Sequence, residues 1–374
     1  MSEWTRTTVG DVITLQRGFD ITKALQNPGE VPVVSSGGIS SYHDVAMTKG
    51  PGVVMGRKGT LGKVFYLDRD YWPHDTTLWV KDFKGNHPRF VYYFLGTLNF
   101  LSMDVGSSNP TLNRNHVHPV PINWPPLREQ QGIAAVLGAL DDKIAVNERI
   151  AATYEELLQC KFKELGLSDE PVDETAVSVT ELIVFNPKLA KPSADEPVYV
   201  DMAALQTNRA SIPTWTHRAP KSGPRFMNGD TLLARITPCL ENGKTGYVDF
   251  MDTGEVGLGS TEFIVMRSHA GVPDELSYFL ARDGRFREHA IRNMVGTSGR
   301  QRVSAADAAN YFVNRPDGDA MAAFGEEAAA AFAHMKSLQG ESRTLTTLRD
   351  TLLPQLMSGR LRVKDAEKIV EDAT

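Results

Sequence analysis

Residues 128–165 read REQQGIAAVLGALDDKIAVNERIAATYEELLQCKFKEL, and the spacing of one set of positions in this stretch decides the fold. The positions recur at alternating intervals of four and three residues. They are Ile133, Leu137, Leu140, Ile144, Asn147, Ala151, Tyr154 and Leu158. This repeat is typical of the contact seam of a coiled coil. The stretch is therefore predicted to form one helix, about 55 Å long at the usual rise per residue.

One seam position is polar, and it allows two interpretations. Asn147 lies where a buried polar residue would fix the register and orientation of paired helices at some loss of stability. The alternative is that the amide is merely tolerated near water.

A second seam with the same alternating spacing lies in the last sixty residues. It comprises Phe324, Ala328, Ala331, Met335, Leu338, Ser342 and Leu345. The simplest arrangement packs the two helices antiparallel against each other. Gly340 weakens the second helix by about 1 kcal/mol relative to alanine, and Pro354 is predicted to end or kink it.

Each helix follows a segment that reads as short strands between turns. Strands are predicted at 31–34, 52–56, 63–67 and 77–80, and again at 231–234, 246–250 and 262–266, with helices at 88–103 and 274–281. Tyr93-Phe94 recurs as Tyr278-Phe279, and Gly106-Ser107-Ser108 recurs as Gly296-Thr297-Ser298. Two copies are too few for a solenoid, so a pseudo-two-fold molecule is predicted.

The predicted fold class is α+β, with two mostly-β domains joined by two long antiparallel coiled-coil helices in a pseudo-two-fold internal repeat. The predicted bounds are 1–126 for the first domain, 127–167 for the first spacer helix, 168–316 for the second domain, 317–358 for the second spacer helix and 359–374 for a C-terminal tail. The prolines at 119, 121, 125 and 126 mark the first domain exit, since they forbid continuous helix.

Composition indicates a soluble protein of ordinary type. The chain has 374 residues, 41% hydrophobic and 23% charged, and no apolar run long enough for a membrane helix. Its first residues do not resemble a signal peptide, so a cytoplasmic location is expected. Cys160 and Cys239 are expected to be free, reduced thiols, with a disulfide or metal site as the alternative.

The formal net charge of −6 argues against a polyanionic partner, but its distribution does not. The helical segments 127–166 and 317–357 carry five of these six negative charges. Basic residues cluster without acids elsewhere, and such patches bind phosphates even in an acidic protein. The clusters are Arg57, Lys58 and Lys63, and Arg209, Arg218, Lys221 and Arg225. Ordinary solvated loop charge explains any one patch equally well.

Catalytic signatures are absent from the sequence. It contains no GxxxxGK[ST] phosphate loop, no HExxH and no GxSxG. His116 and His118 could face one side of a strand as metal ligands, but no third ligand is evident and a surface pair is favoured. No active site and no metal site are predicted.

Ordered motifs in both halves resemble the specificity subunits of Type I restriction-modification systems. In the first half these are GVVMGRKGTLGKVF at 52–65, GSSNPTLN at 106–113 and PPLREQQGIA at 125–134. In the second half FMNGDTLLARITPCLENGKTG at 226–246 and GSTEF at 259–263 resemble a variant of the target-recognition domain. The second half departs from the pattern at 314–317, where Asn-Arg-Pro-Asp precedes an Ala-rich helix, which puts its docking to a partner in doubt.

The resemblance implies a non-catalytic subunit whose two target-recognition domains each read one half of a bipartite site in double-stranded DNA. It also implies that the helices bind two modification (methyltransferase) subunits, with or without restriction (translocase/nuclease) subunits, and no membrane. No cofactor is expected on this chain; S-adenosylmethionine is expected on the modification subunit. The alternatives are a specificity module of a stand-alone DNA methyltransferase, a protein-interaction scaffold that binds no DNA, and an enzyme in its own right.

Loops rich in basic and amide side chains are the candidates for reading DNA, because such side chains distinguish base edges in the major groove. The candidate DNA-binding residues are Ser36, Tyr42, His43, Arg57, Lys58, Thr60, Lys63, Ser108, Asn109, Asn113, Arg114, Arg235, Thr237, Lys244, Ser298, Arg300, Gln301 and Arg302. Gly56, Gly59 and Gly62 either let the backbone approach phosphate or form tight turns. One sequence does not reveal which bases are recognised.

Overall fold

The computed structural model describes residues 4–100, 111–219, 222–297 and 299–373. The chain divides into two compact units. Unit 1 consists of Met1–Ile144 and Arg343–Thr374, and unit 2 consists of Ala145–Ser342. The division falls inside both long helices, so each unit contains a part of both.

Unit 1 is built mainly from short strands. Its elements are β1 (Thr5–Thr8), α1 (Val9–Val12), β2 (Thr14–Arg17), β3 (Val31–Ser35), β4 (Gly38–His43), β5 (Gly52–Gly56), β6 (Val64–Leu67), β7 (Trp72–Pro73), β8 (Thr77–Asp82), α2 (Pro88–Thr97), α3 (Arg114–Val117), β9 (Pro121–Trp124) and the first part of α4 (Leu127–Glu164). The main sheet has the order β2-β8-β5-β6, a second sheet has the order β4-β3-β7, and β1 pairs with β9. Every residue of β5 is buried, as its apolar sequence predicts for a central strand.

Unit 2 contains the second set of strands. Its elements are β10 (Ala176–Ser178), β11 (Ile183–Phe185), β12 (Val198–Val200), β13 (Gln206–Thr207), β14 (Thr216–His217), β15 (Arg225–Phe226), β16 (Thr231–Ala234), β17 (Lys244–Tyr247), β18 (Gly257–Gly259), β19 (Phe263–Ser268), α5 (Leu276–Arg282), α6 (Gly284–Arg292), α7 (Ala305–Ala309), β20 (Phe312–Asn314) and most of α8 (Gly318–Met357). The main sheet has the order β11-β19-β16-β17-β13, the second has the order β14-β12-β18-β15, and β10 pairs with β20.

The two units repeat one topology. In each main sheet an antiparallel set has the same order, with β2, β8, β5 and β6 corresponding to β11, β19, β16 and β17. In each second sheet one strand has an antiparallel neighbour and a parallel neighbour, namely β3 between β4 and β7, and β12 between β14 and β18. The internal repeat predicted from the sequence is confirmed, including strands at all seven predicted places.

Both predicted seams are contact seams, and the helices run antiparallel within each unit. In unit 2, Asn147 Nδ2 lies 2.7 Å from Glu341 Oε2. One heptad further along α4, Tyr154 Oη lies 3.1 Å from His334 Nδ1. After another heptad Lys161 Nζ lies 2.6 Å from Glu327 Oε2. As the residue number rises by seven on α4, it falls by seven on α8.

In unit 1 the same two helices are held by apolar packing and one ion pair. Leu137 and Leu140 share a core with Leu345 and Leu352. Arg349 Nη1 lies 2.7 Å from Asp141 Oδ1. The predicted antiparallel coiled coil is therefore present in both units.

Asn147 is buried between the helices. Its side-chain nitrogen donates to Glu341 Oε2 and, at 3.3 Å, to Ser342 Oγ. The residue is only 1% exposed, so the interpretation that places it near water is wrong. A buried amide that needs acceptors from the facing helix favours one register over its neighbours.

The motif at the start of α4 has a structural role that explains why it is missing from the second half. Gln130 is 1% exposed; its oxygen accepts from the backbone N–H of His87, and its nitrogen donates to Asn86 Oδ1 and to the Pro125 carbonyl. At the matching position of α8 stands Met321, which is buried in an apolar core. Unit 1 thus anchors its helix with a polar network where unit 2 uses apolar packing.

A buried carboxylate ties α4 to the sheet domain of unit 2. Glu155 Oε1 accepts from the backbone N–H of Ala210 at 2.9 Å. Glu155 Oε2 accepts from Tyr278 Oη at 3.0 Å and from Arg282 Nη1 at 2.9 Å. Burial raises the pKa of Glu155 despite these donors, and burial raises the pKa of Tyr278 well above its usual range.

One predicted helix end was wrong: α2 ends at Thr97 because Leu98 takes an extended conformation, and the prediction had carried it to 103. Pro354 does not end α8 at its own position, because α8 continues to Met357. The predicted tail contains helix α9 (Val363–Ala373), whose Ala366 is fully buried in the core of unit 1. No helix among the described residues has the length and apolar character that crossing a membrane requires.

The Glu155 contacts generate a stability prediction. Glu155→Ala should lower the free energy of unfolding by about 3–5 kcal/mol, since it leaves the mostly buried Arg282 charge without its partner. Glu156→Ala, at the exposed neighbouring position, should stay within about 0.5 kcal/mol of the parent. Urea unfolding followed by circular dichroism measures both, and equal effects would contradict the anchoring role.

Candidate nucleic-acid interface

In unit 1 the loop that follows β5 is fixed by main-chain hydrogen bonds on both sides. The backbone N–H groups of Arg57 and Lys58 donate to the Thr76 carbonyl at 2.9 and 3.1 Å. The Arg57 carbonyl in turn accepts from the N–H of Leu112 at 2.9 Å. Arg57 is therefore held between two distant segments of the chain, and its side chain starts from a defined position.

The glycines of this loop serve the tight turn. A Cβ on Gly56 would lie 1.9 Å from the Thr60 carbonyl oxygen, so no larger residue fits there. Gly59 and Gly62 have φ values of +77° and +71°, a region that other residues rarely adopt. Of the two explanations for these glycines, the structure favours turn geometry over approach to phosphate.

Two predicted site residues in unit 1 are buried and used internally. Ser36 is 6% exposed; its hydroxyl donates to the Thr76 carbonyl at 2.5 Å and accepts from the Lys58 N–H at 3.3 Å. His43 is also 6% exposed, and its Nδ1 accepts from the Asn27 N–H at 3.0 Å. These side chains support the loops, because burial removes them from contact with a ligand.

The remaining predicted residues of unit 1 differ in their exposure and in the contacts that they make within the protein. Lys58, Thr60, Lys63, Tyr42 and Arg114 are exposed. The Lys63 ammonium lies 5.3 Å from the centre of the Phe65 ring. Asn113 is exposed but caps α3, since its side chain accepts from the Asn115 N–H. Ser108 and Asn109 lie outside the described residues.

Unit 2 builds its loop in the same way after β16. The N–H of Arg235 donates to the Glu262 carbonyl at 3.0 Å, and the Arg235 carbonyl accepts from the Val303 N–H at 3.0 Å. Thr237 and Gln301 are joined by two hydrogen bonds, one from the Thr237 N–H to the Gln301 carbonyl and one from the Gln301 N–H to Thr237 Oγ1. The loop at 235–244 and the segment at 299–302 thus lie side by side.

Some of the predicted unit 2 side chains are engaged within the protein. Arg302 forms a forked ion pair with Glu262, with its Nη2 2.7 Å from Glu262 Oε1 and its Nε 2.8 Å from Oε2. These hydrogen bonds, together with the charges of Arg302 and Arg235, lower the pKa of Glu262. Lys244 Nζ donates to the Met202 carbonyl at 2.9 Å. Arg300 is exposed, and Ser298 lies outside the described residues.

Strand register makes the two loops equivalent residue by residue. Gly56 pairs with Thr77, and Ala234 pairs with Phe263, at the same point of their sheets. Arg57 and Arg235 are the next residues after these pairs. On the other side of the loop, Met55 pairs with Val64 and Leu233 with Thr245. The preceding residues, Lys63 and Lys244, are therefore equivalent as well.

Sequence reasoning missed the acidic partners and part of the basic surface. Arg17 pairs with Asp75 at 2.7 Å beside Arg57. In unit 2, Lys188 lines an open cleft of about 610 Å³ together with Arg235 and with Arg225, which the sequence had already placed in a basic cluster. No local pattern in the sequence marked Arg17 or Lys188 as members of these surfaces.

One side-chain group among the described residues brings metal-ligand atoms together. Asp20, His74 and Asp75 have ligand atoms within 4.8 Å of one another. Asp75 already pairs with Arg17; partial burial acts to raise its pKa, but the hydrogen bond and nearby positive charges leave the pKa lowered. Elsewhere, His118 Nε2 accepts from the Leu15 N–H at 3.0 Å and so supports α3 against β2.

Comparison with known proteins returns one family. Residues 1–156 match the Type I restriction modification DNA specificity domain. The chain is 25% identical over 247 residues to the EcoAI specificity subunit and 27% identical over 248 residues to the EcoEI specificity subunit, both of Type I restriction enzymes from Escherichia coli. Each match covers 60% of this chain and 41% of the relative, so the matched part is under half of those proteins.

A solved structure has the same fold over nearly its whole length. It is the S subunit of a Type I restriction-modification system from M. genitalium, with a TM-score of 0.60 at 16% identity. The match covers 94% of this chain and 96% of that one. At this identity the likeness establishes the fold alone.

The internal role of Ser36 can be tested by substitution. Ser36→Ala should lower the free energy of unfolding by about 0.5–1.5 kcal/mol, because it removes the hydrogen bond from the Ser36 hydroxyl to the Thr76 carbonyl, which keeps its two N–H donors. Thr60→Ala, in the loop after β5, is the control and should change the free energy of unfolding by less than about 0.5 kcal/mol, since Thr60 is exposed. Urea unfolding measures both; a Ser36 variant as stable as the control would contradict the assignment.

Proposed function

We propose that the chain is a specificity subunit of a Type I restriction-modification system and that it recognises a bipartite double-stranded DNA site. Each β domain reads one half of the site through its loops, and the chain directs modification subunits to that site. The proposal is supported most by one observation: two domains of one topology present equivalent basic loops, with Arg57 and Lys63 in one and Arg235 and Lys244 in the other. A duplicated reader suits a target that has two halves.

The charge distribution supports DNA as the partner despite the net charge of −6. Exposed Lys58 and Lys63 lie on the Arg57 loop, and exposed Arg300 precedes Gln301, which is hydrogen-bonded to the Arg235 loop. Such local positive charge attracts phosphates, and most hydrogen bonds to DNA go to phosphate and sugar. Under this proposal the exposed lysines position the duplex and the better-held side chains read bases.

The long helices support a ruler role, by which we mean that their length sets the gap of unread base pairs between the two half-sites. Helix α4 is an uninterrupted run of 38 residues, about 57 Å at the usual rise. One turn of DNA measures about 34–36 Å, so a helix of this length exceeds one turn. A stiff pair of helices would therefore set the number of unread base pairs.

Apolar side chains on α4 support a protein partner. Leu127, Val146 and Leu157 are 46%, 43% and 49% exposed, and the spacing of Val146 and Leu157 puts these two on one face of α4. We assign this surface to two modification subunits that carry S-adenosylmethionine, with or without restriction subunits. In this scheme the chain binds no cofactor and performs no chemistry.

Selection from a random duplex library tests the function directly. The full chain, purified with co-expressed modification subunits, should enrich a sequence with two short specified parts separated by an unspecified gap. A protein-interaction scaffold predicts no sequence-selective binding at physiological salt. Enrichment of nothing, or of one uninterrupted site, would overturn the proposal, and methyl transfer by the chain alone would make it an enzyme.

The ruler role yields a prediction about the gap. Removing one heptad from each helix, at 144–150 and at 338–344, preserves both seams and removes the Asn147 contacts together with their partners. The helices shorten by about 10 Å, so at about 3.4 Å per base pair the selected gap should shorten by about three base pairs.

Inserting one heptad at the same two places is the matched control, and it should lengthen the gap by the same amount. Half-site sequences should stay unchanged in both variants, because no reading loop is altered. A gap that is unchanged in both variants would contradict the ruler role.

A further inference from the structure

The two equivalent arginines share an unusual state: each is held by its backbone, while one nitrogen of its side chain is buried without an acceptor among the described residues. Within the part of the chain that the structure describes, neither guanidinium donates a hydrogen bond to the protein. Arg57 Nη1 and Arg235 Nε are buried atoms without an acceptor. A buried donor left unpaired costs free energy, and such groups in native proteins call for an explanation.

In both domains the nearest carboxylate is taken by another arginine. Beside Arg57, Asp75 pairs with Arg17 at 2.7 Å. Beside Arg235, Glu262 pairs with Arg302 at 2.7 Å. Each domain therefore places two arginines near one acid, and in each the acid forms its ion pair with the arginine other than Arg57 or Arg235. The same arrangement occurs in both domains, although Asp75 and Arg17 do not occupy the positions in unit 1 that Glu262 and Arg302 occupy in unit 2.

The local electrostatics favour an added acceptor. Partial burial, and next the positive charge of Arg17, lower the pKa of Arg57. Arginine nevertheless stays protonated, so the guanidinium remains a cation whose charge is incompletely compensated. Arg57 is only half-buried, so an acceptor from outside can contact the rest of its side chain and compensate this charge, although it cannot reach the buried Nη1.

Around Arg235 there is room for such an acceptor. The cleft of about 610 Å³ is open and is lined by Arg235, Thr261 and Phe263 together with Lys188 and Arg225. Arg225 Nη1 is occupied by the Leu189 carbonyl at 2.6 Å. Of the two arginines that line this cleft, Arg235 is the one whose side chain makes no hydrogen bond within the described residues.

We infer that Arg57 and Arg235 each read one guanine, one in each half of the bipartite site, through paired hydrogen bonds to its major-groove edge. The inference rests on the proposed function and adds to it the residue and the base at one position of each half-site. Arginine donating to guanine O6 and N7 is the commonest specific contact between protein and DNA, and its geometry needs the arginine to be held in place. The two main-chain hydrogen bonds at each of Arg57 and Arg235 hold the backbone of the arginine in place. A contact to phosphate does not require the arginine to be held in this way.

The wild-type selection gives the first test. Both half-sites should contain a specified G·C pair. If the wild-type complex selects a bipartite site in which either half lacks one, this inference is overturned while the proposed function stands. If it selects no bipartite site, the proposed function itself has failed.

Substitution then assigns each guanine. Arg57→Met should reduce discrimination at one G·C pair of one half-site by roughly 5- to 150-fold, the range expected for one bidentate contact. Arg235→Met should do the same in the other half-site only. Arg57→Lys and Arg235→Lys keep the charge but lose the fork, so they should not restore discrimination.

Two exposed arginines serve as controls. Arg69→Met in unit 1 and Arg292→Met in unit 2 each remove an arginine paired with an acid close by in sequence, and neither should alter base preference. A uniform loss of affinity for all sequences with a smaller salt slope would identify phosphate contacts and overturn the inference. Melting temperatures equal to wild type establish that the variants are folded.

Discussion

The structure depends on the pairing of two helices whose contacts repeat every heptad. A seam of apolar residues supplies attraction but little information about direction, because apolar contacts are not directional. The polar contacts supply direction: Asn147 with Glu341, Tyr154 with His334, and Lys161 with Glu327 are met in opposite order along α4 and α8. A parallel pairing would separate all three, and it would leave the Asn147 amide buried without acceptors.

Each domain is attached to these helices by polar groups that are removed from water. In unit 1, Gln130 and Asp141 bond to the sheet domain and to α8. In unit 2, Glu155 gathers a backbone N–H, a tyrosine and an arginine. Such bonds fix orientation because a buried polar group tolerates no displacement that costs it a partner. A loop that must meet a base edge within hydrogen-bonding distance needs a support of this kind.

The two reading loops share their backbone framework and differ in the side chains around it. Main-chain bonds, strand register and the arginine after the central strand are the same in both domains. The residue that follows differs, being Lys58 in one loop and Ile236 in the other, and the adjacent acids are supplied by different chain positions. The repeated part consists of backbone interactions, which any side chains can share, and the divergent part consists of side chains that face outward. Two half-sites of different sequence would be read by such a pair.

The sequence by itself determined the two long helices, the main apolar strands and the repeat, because each shows in the local spacing of residues: a heptad for α4 and α8, and buried apolar runs such as those of β5 and β16. It did not determine which basic residues are free. Arg302 pairs with Glu262, 40 positions away, and Ser36 bonds to Thr76 across the same separation. Neither the ion pair of Arg302 nor the burial of Ser36 could therefore be derived from neighbouring residues in the chain. Only the tertiary structure brings those segments together, since loop contacts are set by sheet register, and the register is fixed by hydrogen bonds between distant strands.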